Sequence, residues 1–191
     1  MAANYIESKI IDPTVAPELA VADKVAARHA KRGVTPKYFI QTFGCQQNEA
    51  DSERLAGLCE TMGYVRAETP QEALLILVNT CAIREHAEKK ALSIIGQYKH
   101  IKDANPDVVI GIGGCMVTQE ARAMKLKMSY PYVSFTFDTG AIHRVPSLVL
   151  ADDVKHDFAR IAGVGALLPF TSGGVETDQQ FHGGFARKQR A

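Results

Sequence analysis

The chain carries no excess of charge of either sign: 22 Lys and Arg stand against 21 Asp and Glu, for a formal net charge of +1. Neither a nucleic-acid partner nor a membrane surface can be read from that balance. No run approaches the roughly 20 apolar residues of a membrane span. The opening MAANYIESKIIDP mixes charged with apolar residues and lacks the apolar run of a secretory signal, so a cytoplasmic location is expected. No internal repeat and no Ser/His/Asp set stands out. A full GxGxxG is missing, because Met116 occupies the third glycine place after Gly111 and Gly113. Cysteine is scarce, with four in the chain. In a cytoplasmic protein such thiols bind metal, catalyse or pack in the core more often than they form disulfides.

What is present suffices for one domain with tails: 191 residues, 46% of them hydrophobic. Three zones follow from the pattern. Residues 1–36 form an N-terminal extension in which the Ala-rich stretch Pro17 to Lys31 reads as a helix, with Gly33 as its stop. Residues 37–150 alternate short apolar runs with amphipathic stretches. The runs are YFIQT (38–42), LLILVN (74–79), VVIGIG (108–113) and YVSFTF (132–137). Near-continuous apolar runs suit strands buried on both faces of a parallel sheet. Helices are expected over Ala50–Met62, Glu85–Ala104 and Thr118–Lys127, with a short one over 142–150. The expected fold is α/β: a three-layer domain around a parallel sheet with right-handed crossovers. Residues 151–191, broken by glycines, read as a linker or irregular tail.

Three cysteines occupy equivalent places. Cys45 follows YFIQT, Cys81 follows LLILVN, and Cys115 follows VVIGIG. Each falls between the end of a strand and the start of a helix. In an open parallel sheet those strand ends share one edge, so distant residues converge there. Three thiolates at one edge suit a 4Fe-4S cluster with one iron left without a protein ligand. Helix N-termini facing the site would favour an anionic thiolate cluster. The glycines before Cys45 and Cys115 let backbone pass close to a bulky ligand.

Other readings compete. Any single cysteine at a strand end is as well explained as a small buried hydrophobe. Zinc would need a fourth ligand, which His86 could supply. Cys59 is different: Leu55, Leu58, Cys59 and Met62 fall at i, i+3, i+4 and i+7, the core stripe of a helix. It is not expected in the site. Asp51, Ser52 and Glu53 read as the opening of that helix, with Ser52 as a cap. His143-Arg144 could touch phosphate or simply begin a surface helix.

The segments TFGCQQNEADSERLAGLCETMGY, LVNTCAIREHAEKKALSIIGQYK, IGIGGCMVTQE and FDTGAIHRVPSLV together resemble the N-terminal domain of radical-SAM methylthiotransferases. The likeness covers residues 37–150, and the opening TFGCQ-x-N-x-x-DSE looks most like the MiaB subgroup. Gln47 stands where Met is usual in that subgroup, and FDTGA departs slightly from its pattern. The resemblance implies an auxiliary 4Fe-4S cluster held by Cys45, Cys81 and Cys115 that handles the inserted sulfur. It implies a transferase that adds a methylthio group to C2 of N6-dimethylallyladenosine in tRNA, next to the anticodon. Its partners would be tRNA and a sulfur donor, with no membrane, and a monomer is expected. S-adenosylmethionine and a second 4Fe-4S cluster would belong to a further domain carrying Cys-x3-Cys-x2-Cys. That motif does not occur in these 191 residues, and no cysteine follows Cys115. The chain is therefore expected to be a fragment, inactive alone in radical chemistry. The alternative is a stand-alone, non-catalytic metal-binding or interaction module.

Overall fold

The computed structural model describes the backbone of residues 16–81 and 85–162, and side chains throughout these except at 85–87 and 158–162. Five strands form one sheet: β1 (Lys37–Thr42), β2 (Val65–Arg66), β3 (Leu75–Thr80), β4 (Val109–Gly114) and β5 (Phe135–Phe137). The order across the sheet is β2-β1-β3-β4-β5, and every neighbouring pair is parallel. Among the described residues five α-helices surround it: α1 (Ala16–Arg32), α2 (Gln46–Thr61), α3 (Glu85–Ala104), α4 (Glu120–Ser129) and α5 (Val145–Ala162). This is the α/β architecture that the alternating pattern predicts. Among the described residues no helix is long and apolar enough to cross a membrane.

The central strands are apolar on both faces because both faces are covered. All six residues of β3 and all six of β4 are buried. Alternate residues then serve different cores. Tyr38, Leu75, Leu77, Val109, Phe135 and Phe137 pack with Ala22 and Val25 of α1, Leu55 and Cys59 of α2, and Val145 and Val149 of α5. Ile76, Val78, Ile110 and Ile112 pack on the other side with Ala91 and Ile95 of α3 and Leu126 of α4. Burying one such side chain is worth about 1.5–3 kcal/mol, so these two rows fix which way each strand faces.

Two glycines of the phosphate-loop-like stretch have a packing role instead. Gly111 pairs with Phe135 and Gly113 with Phe137 across the β4–β5 ladder. A β-carbon at Gly111 would stand 2.4 Å from the Phe135 ring, and one at Gly113 2.2 Å from the Phe137 ring. The missing side chains are the space that the phenyl rings fill.

Several expected boundaries move. Helix α2 starts at Gln46, four residues before Ala50, so Ser52 lies inside the helix and does not cap it. Helix α4 runs Glu120–Ser129, two residues later than expected. Residues 132–134 are not strand; the Tyr132 hydroxyl instead donates to the Ile95 carbonyl at 2.7 Å. A 3-10 turn, Thr139–Arg144, capped by the Asp138 carboxylate on Ala141 N–H, leads into α5. The short helix expected over 142–150 is in fact α5, which carries residues 151–162 as helix where a linker or tail was expected. Its pairing with α1 explains why. Arg28 donates to Asp157, Arg32 Nη2 lies 2.6 Å from Asp157 Oδ1, and Ser147 Oγ donates to Glu18 Oε2 at 2.8 Å. Residues 163–191 and 1–15 lie outside the described residues.

Gly113→Ala should force β4 away from the Phe137 ring. Overpacking of this kind costs about 1–3 kcal/mol. The expected result is a lower urea midpoint with an unchanged m-value; an unchanged midpoint would contradict this packing.

Candidate metal centre

The strand order reverses direction between β1 and β3, since β2 lies on one side of β1 and β3 to β5 on the other. In such sheets the loops leaving the two strands at the reversal separate, and a crevice opens at their carboxyl ends. Cys45 leaves β1 and Cys81 leaves β3, so these two thiols flank the reversal. Cys115 leaves β4, the next strand over.

The ladder registers show how close the three loops run. Thr42 pairs with Asn79, and Thr80 pairs with Gly114. The second ladder ends one residue before Cys81 and Cys115, where Gly114 leaves the extended conformation and the 3-10 turn of Cys115 begins. Carried two residues further, the first ladder sets Gly44 beside Cys81. The backbone agrees: a β-carbon at Gly44 would lie 2.7 Å from Cys81 Cβ. Gly44 has φ +138 and Gly114 has φ +95, conformations that glycine adopts at least cost. A β-carbon at Gly114 would lie 2.1 Å from the Thr80 carbonyl oxygen. Both glycines thus press the loop that carries a cysteine against the end of β3.

All four cysteines are free thiols. Cys45 and Cys115 are half-buried, and Cys81 is buried. Cys45 is the N-cap of α2, whose first-turn N–H groups follow it directly. Cys115 opens a short 3-10 turn, Cys115–Val117, and α4 begins only at Glu120. The direct helix start expected after each cysteine therefore holds for Cys45 and is delayed for Cys115. Residues 82–84 and the side chain of His86, the zinc alternative's fourth ligand, lie outside the described residues.

Among the described residues no three His, Cys, Asp or Glu side chains gather closely enough to hold a single metal ion. One zinc ion with bonds of about 2.3 Å would need its sulfurs about 3.8 Å apart. Iron–sulfur clusters are held by cysteine thiolates. Three soft thiols at adjacent strand ends fit that donor set.

Behind the thiols lies a buried polar network that the sequence pattern did not reveal. Asn48 and Asn79 are 2% and 1% exposed. Asn48 Oδ1 accepts from the Cys45 N–H at 3.2 Å, and the Cys45 thiol donates to the same oxygen at 3.5 Å. Asn48 Nδ2 donates to Asn79 Oδ1 and to the Thr80 carbonyl, each at 3.1 Å. Asn79 Nδ2 returns a bond to the Asn48 carbonyl at 2.8 Å and donates to Ser52 Oγ at 3.1 Å. Ser52 and Thr42 share a hydroxyl bond of 2.8 Å. Thr80 Oγ1 donates to the Gly113 carbonyl at 2.6 Å, joining β3 to β4 just below Cys115. The available signal was the pair of asparagines beside cysteines, in CQQN and NTC; without the register, each reads as an ordinary turn or cap residue.

Cys59 stands apart. It is fully buried among Leu55, Met62, Tyr38 and Tyr64. Desolvation pushes its thiol far above the ordinary value of 9.0, with the Glu60 carboxylate adding to the effect. Iodoacetamide at pH 8 should therefore label Cys45 and Cys115 well before Cys59 in the metal-free protein, read by peptide mass spectrometry. The linkage has a definite sign. A thiol whose folded pKa lies above 9.0 holds its proton longer when folded, so its stabilising effect is complete below pH 9 and declines as pH rises beyond it. Equal early labelling of Cys59 would contradict its burial.

The comparisons with known proteins match this region. A family model described as "Uncharacterized protein family UPF0004" matches residues 37–137, from the first residue of β1 to the last of β5. A tRNA-2-methylthio-N(6)-dimethylallyladenosine synthase of Symbiobacterium thermophilum is 45% identical over 127 residues, which are 66% of this chain and 27% of that protein. Proteins with the same name from Desulforamulus reducens and Natranaerobius thermophilus are 42% and 47% identical, over 63% and 59% of this chain and 26% and 25% of their own lengths. The chain thus spans about a quarter of the length of the curated relatives it matches. Over its five-stranded sheet and the cysteine-bearing edge, the chain belongs to the UPF0004 family, and there it resembles the N-terminal domain of the methylthiotransferases of the MiaB type.

Proposed function

We propose that this chain is the N-terminal, cluster-holding domain of a tRNA methylthiotransferase, with Cys45, Cys81 and Cys115 ligating one 4Fe-4S cluster. The observation that supports the reading is the placement of three free thiols just past the carboxyl ends of three adjacent parallel strands. The names of relatives at 42–47% identity supply the reaction class. The transfer would place a methylthio group on C2 of N6-dimethylallyladenosine in tRNA. The domain working as a unit would be residues 37–150, in the cytoplasm.

Bound at this edge, such a cluster would supply an iron free of protein thiolate on which sulfur for insertion can be held. The chain's own residues do the rest. Cys81, buried at the end of the central strand, supplies the fixed point of the triangle. Cys45 sits at the positive end of α2, which favours the negative charge of a thiolate–iron group. Cys115 follows the tight Gly114 turn, which brings its loop against Thr80. S-adenosylmethionine and its own cluster would come from a separate domain, as would most of the contact with tRNA.

Anaerobic reconstitution with iron and sulfide should give brown protein with about four irons per chain. Replacing Cys45, Cys81 or Cys115 by Ala should abolish the colour, whereas Cys59→Ala should retain it at some cost in stability. Stoichiometric zinc without visible absorption would instead support a non-catalytic metal-binding module. A Cys81→Ala protein that keeps its full iron content would refute the ligand assignment.

A further inference from the structure

We infer that Asn48 and Asn79 are positioning residues for the cluster, a buried amide clamp that sets the separation of Cys45 and Cys81 before any iron arrives. The inference rests on the reading of those two cysteines as ligands. Asn48 sits on α2, three residues after Cys45; Asn79 sits on β3, two residues before Cys81. Their side chains meet across the gap between helix and strand, where other β3 residues on the same face, Leu75 and Leu77, meet apolar partners. Two amides in such a row are unfavourable unless their polar atoms are satisfied.

Here the four polar side-chain atoms are all used, and the pattern permits only one orientation of each amide. The Asn48 backbone carbonyl can only accept, so the atom of Asn79 that faces it at 2.8 Å is the donor Nδ2. That leaves Asn79 Oδ1 facing Asn48 Nδ2 at 3.1 Å. Asn48 Oδ1 is then directed at Cys45, where it accepts from both the backbone N–H and the thiol. Asn48 Nδ2 meanwhile grips the Thr80 carbonyl, one residue from Cys81. A single amide therefore holds the backbone on both sides of the crevice. The Thr80 hydroxyl extends the tie to Gly113, two residues from Cys115.

The clamp is neutral, and this suits an anionic site. A carboxylate in place of Asn48 could accept from Cys45 but could not donate to Thr80, and it would repel thiolate sulfur. When Cys45 binds iron, its S–H bond breaks, an S–Fe bond forms and the proton passes to water. The thiol's bond to Asn48 Oδ1 is lost in that step, but the backbone N–H bond to the same oxygen remains. The loop therefore keeps its anchor in both states. Satisfied buried networks of this kind define a unique local geometry, and residues behind metal ligands set ligand orientation.

The test compares the reconstituted wild-type chain with Asn48→Ala, Asn48→Asp, Asn79→Ala and, as a core control on the same helix, Leu55→Ala. The readouts are the rate of iron loss to a chelator, the EPR spectrum of the reduced cluster, and the thermal midpoint of the metal-free protein. Asn48→Ala and Asn79→Ala should lose iron about 10–100-fold faster than wild type, with a broadened EPR signal. Asn48→Asp keeps the side-chain shape but loses the donor to Asn79 and Thr80 and adds charge beside the Cys45 sulfur, so it should lose iron at least as fast as Asn48→Ala. Leu55→Ala should lower the metal-free midpoint yet leave the iron-loss rate and the EPR signal unchanged. Wild-type iron retention in Asn48→Ala overturns the clamp; should that variant fail to fold, wild-type retention in Asn48→Asp does so. Iron loss from Leu55→Ala as fast as from Asn48→Ala also overturns it, because retention would then follow overall stability alone. A wild-type chain that takes up no iron sinks the ligand reading and the clamp together, whereas retention in all variants sinks only the clamp.

Discussion

The register of three parallel strands is the constraint on which the site depends. Strand β3 is paired on both sides, with Thr42 opposite Asn79 and Thr80 opposite Gly114. A slip of one residue in either ladder would turn a row of buried aliphatics to the wrong face. Leu75 and Leu77 would leave the core under α1, α2 and α5, and Ile76 and Val78 would leave the core under α3 and α4. Each misplaced side chain forfeits about 1.5–3 kcal/mol, so the penalty for a slipped strand is several times a typical hydrogen bond at about 1 kcal/mol. The apolar cores thereby fix to within one residue where three cysteine-bearing loops leave the sheet. The geometry of the candidate site is inherited from hydrophobic packing.

Helix α2 shows how the two requirements share one element. Its later turns place Leu55 and Cys59 in the core. Its first two turns carry Asn48, Asp51 and Ser52 instead, and Asn48 and Asp51 are buried despite being polar. Asp51 Oδ1 accepts from Gln47 Nε2 at 3.2 Å. The helix is thus apolar where it faces the sheet's middle and hydrogen-bonded where it faces the sheet's end. Gly44 and Gly114 complete the arrangement, because any side chain at either place would collide with β3 or with Asn48.

Much of this was legible in the sequence, for physical reasons. Strands β3 and β4 announced themselves because both faces are covered, which makes their runs nearly continuously apolar, and β1, only partly buried, showed through the apolar Tyr38-Phe39-Ile40. Cys59 could be separated from the other thiols because it falls on a helical stripe. Strand β2 escaped notice: Val65 and Arg66 are both exposed, and the element is held by backbone bonds such as Ala67 N–H to the Tyr38 carbonyl at 2.8 Å. The full length of α5 was hidden because its partners are remote in sequence. Arg28 and Arg32 on α1 meet Asp153 and Asp157 on α5, and no local pattern marks that match. The asparagine pair was invisible for the same reason. Asn48 and Asn79 are 31 positions apart and acquire their joint role only once β3 lies beside α2.

The central claim is that three strand-end thiols, and not Cys59, share one iron–sulfur cluster. A crystal structure of the anaerobically reconstituted chain, with anomalous scattering recorded at the iron edge, tests it most directly. The expected result is one compact iron peak at the carboxyl edge of the sheet, with the Sγ atoms of Cys45, Cys81 and Cys115 each bonded to a different iron. Iron bound elsewhere, or a cluster at that edge that leaves Cys81 unligated, would contradict it.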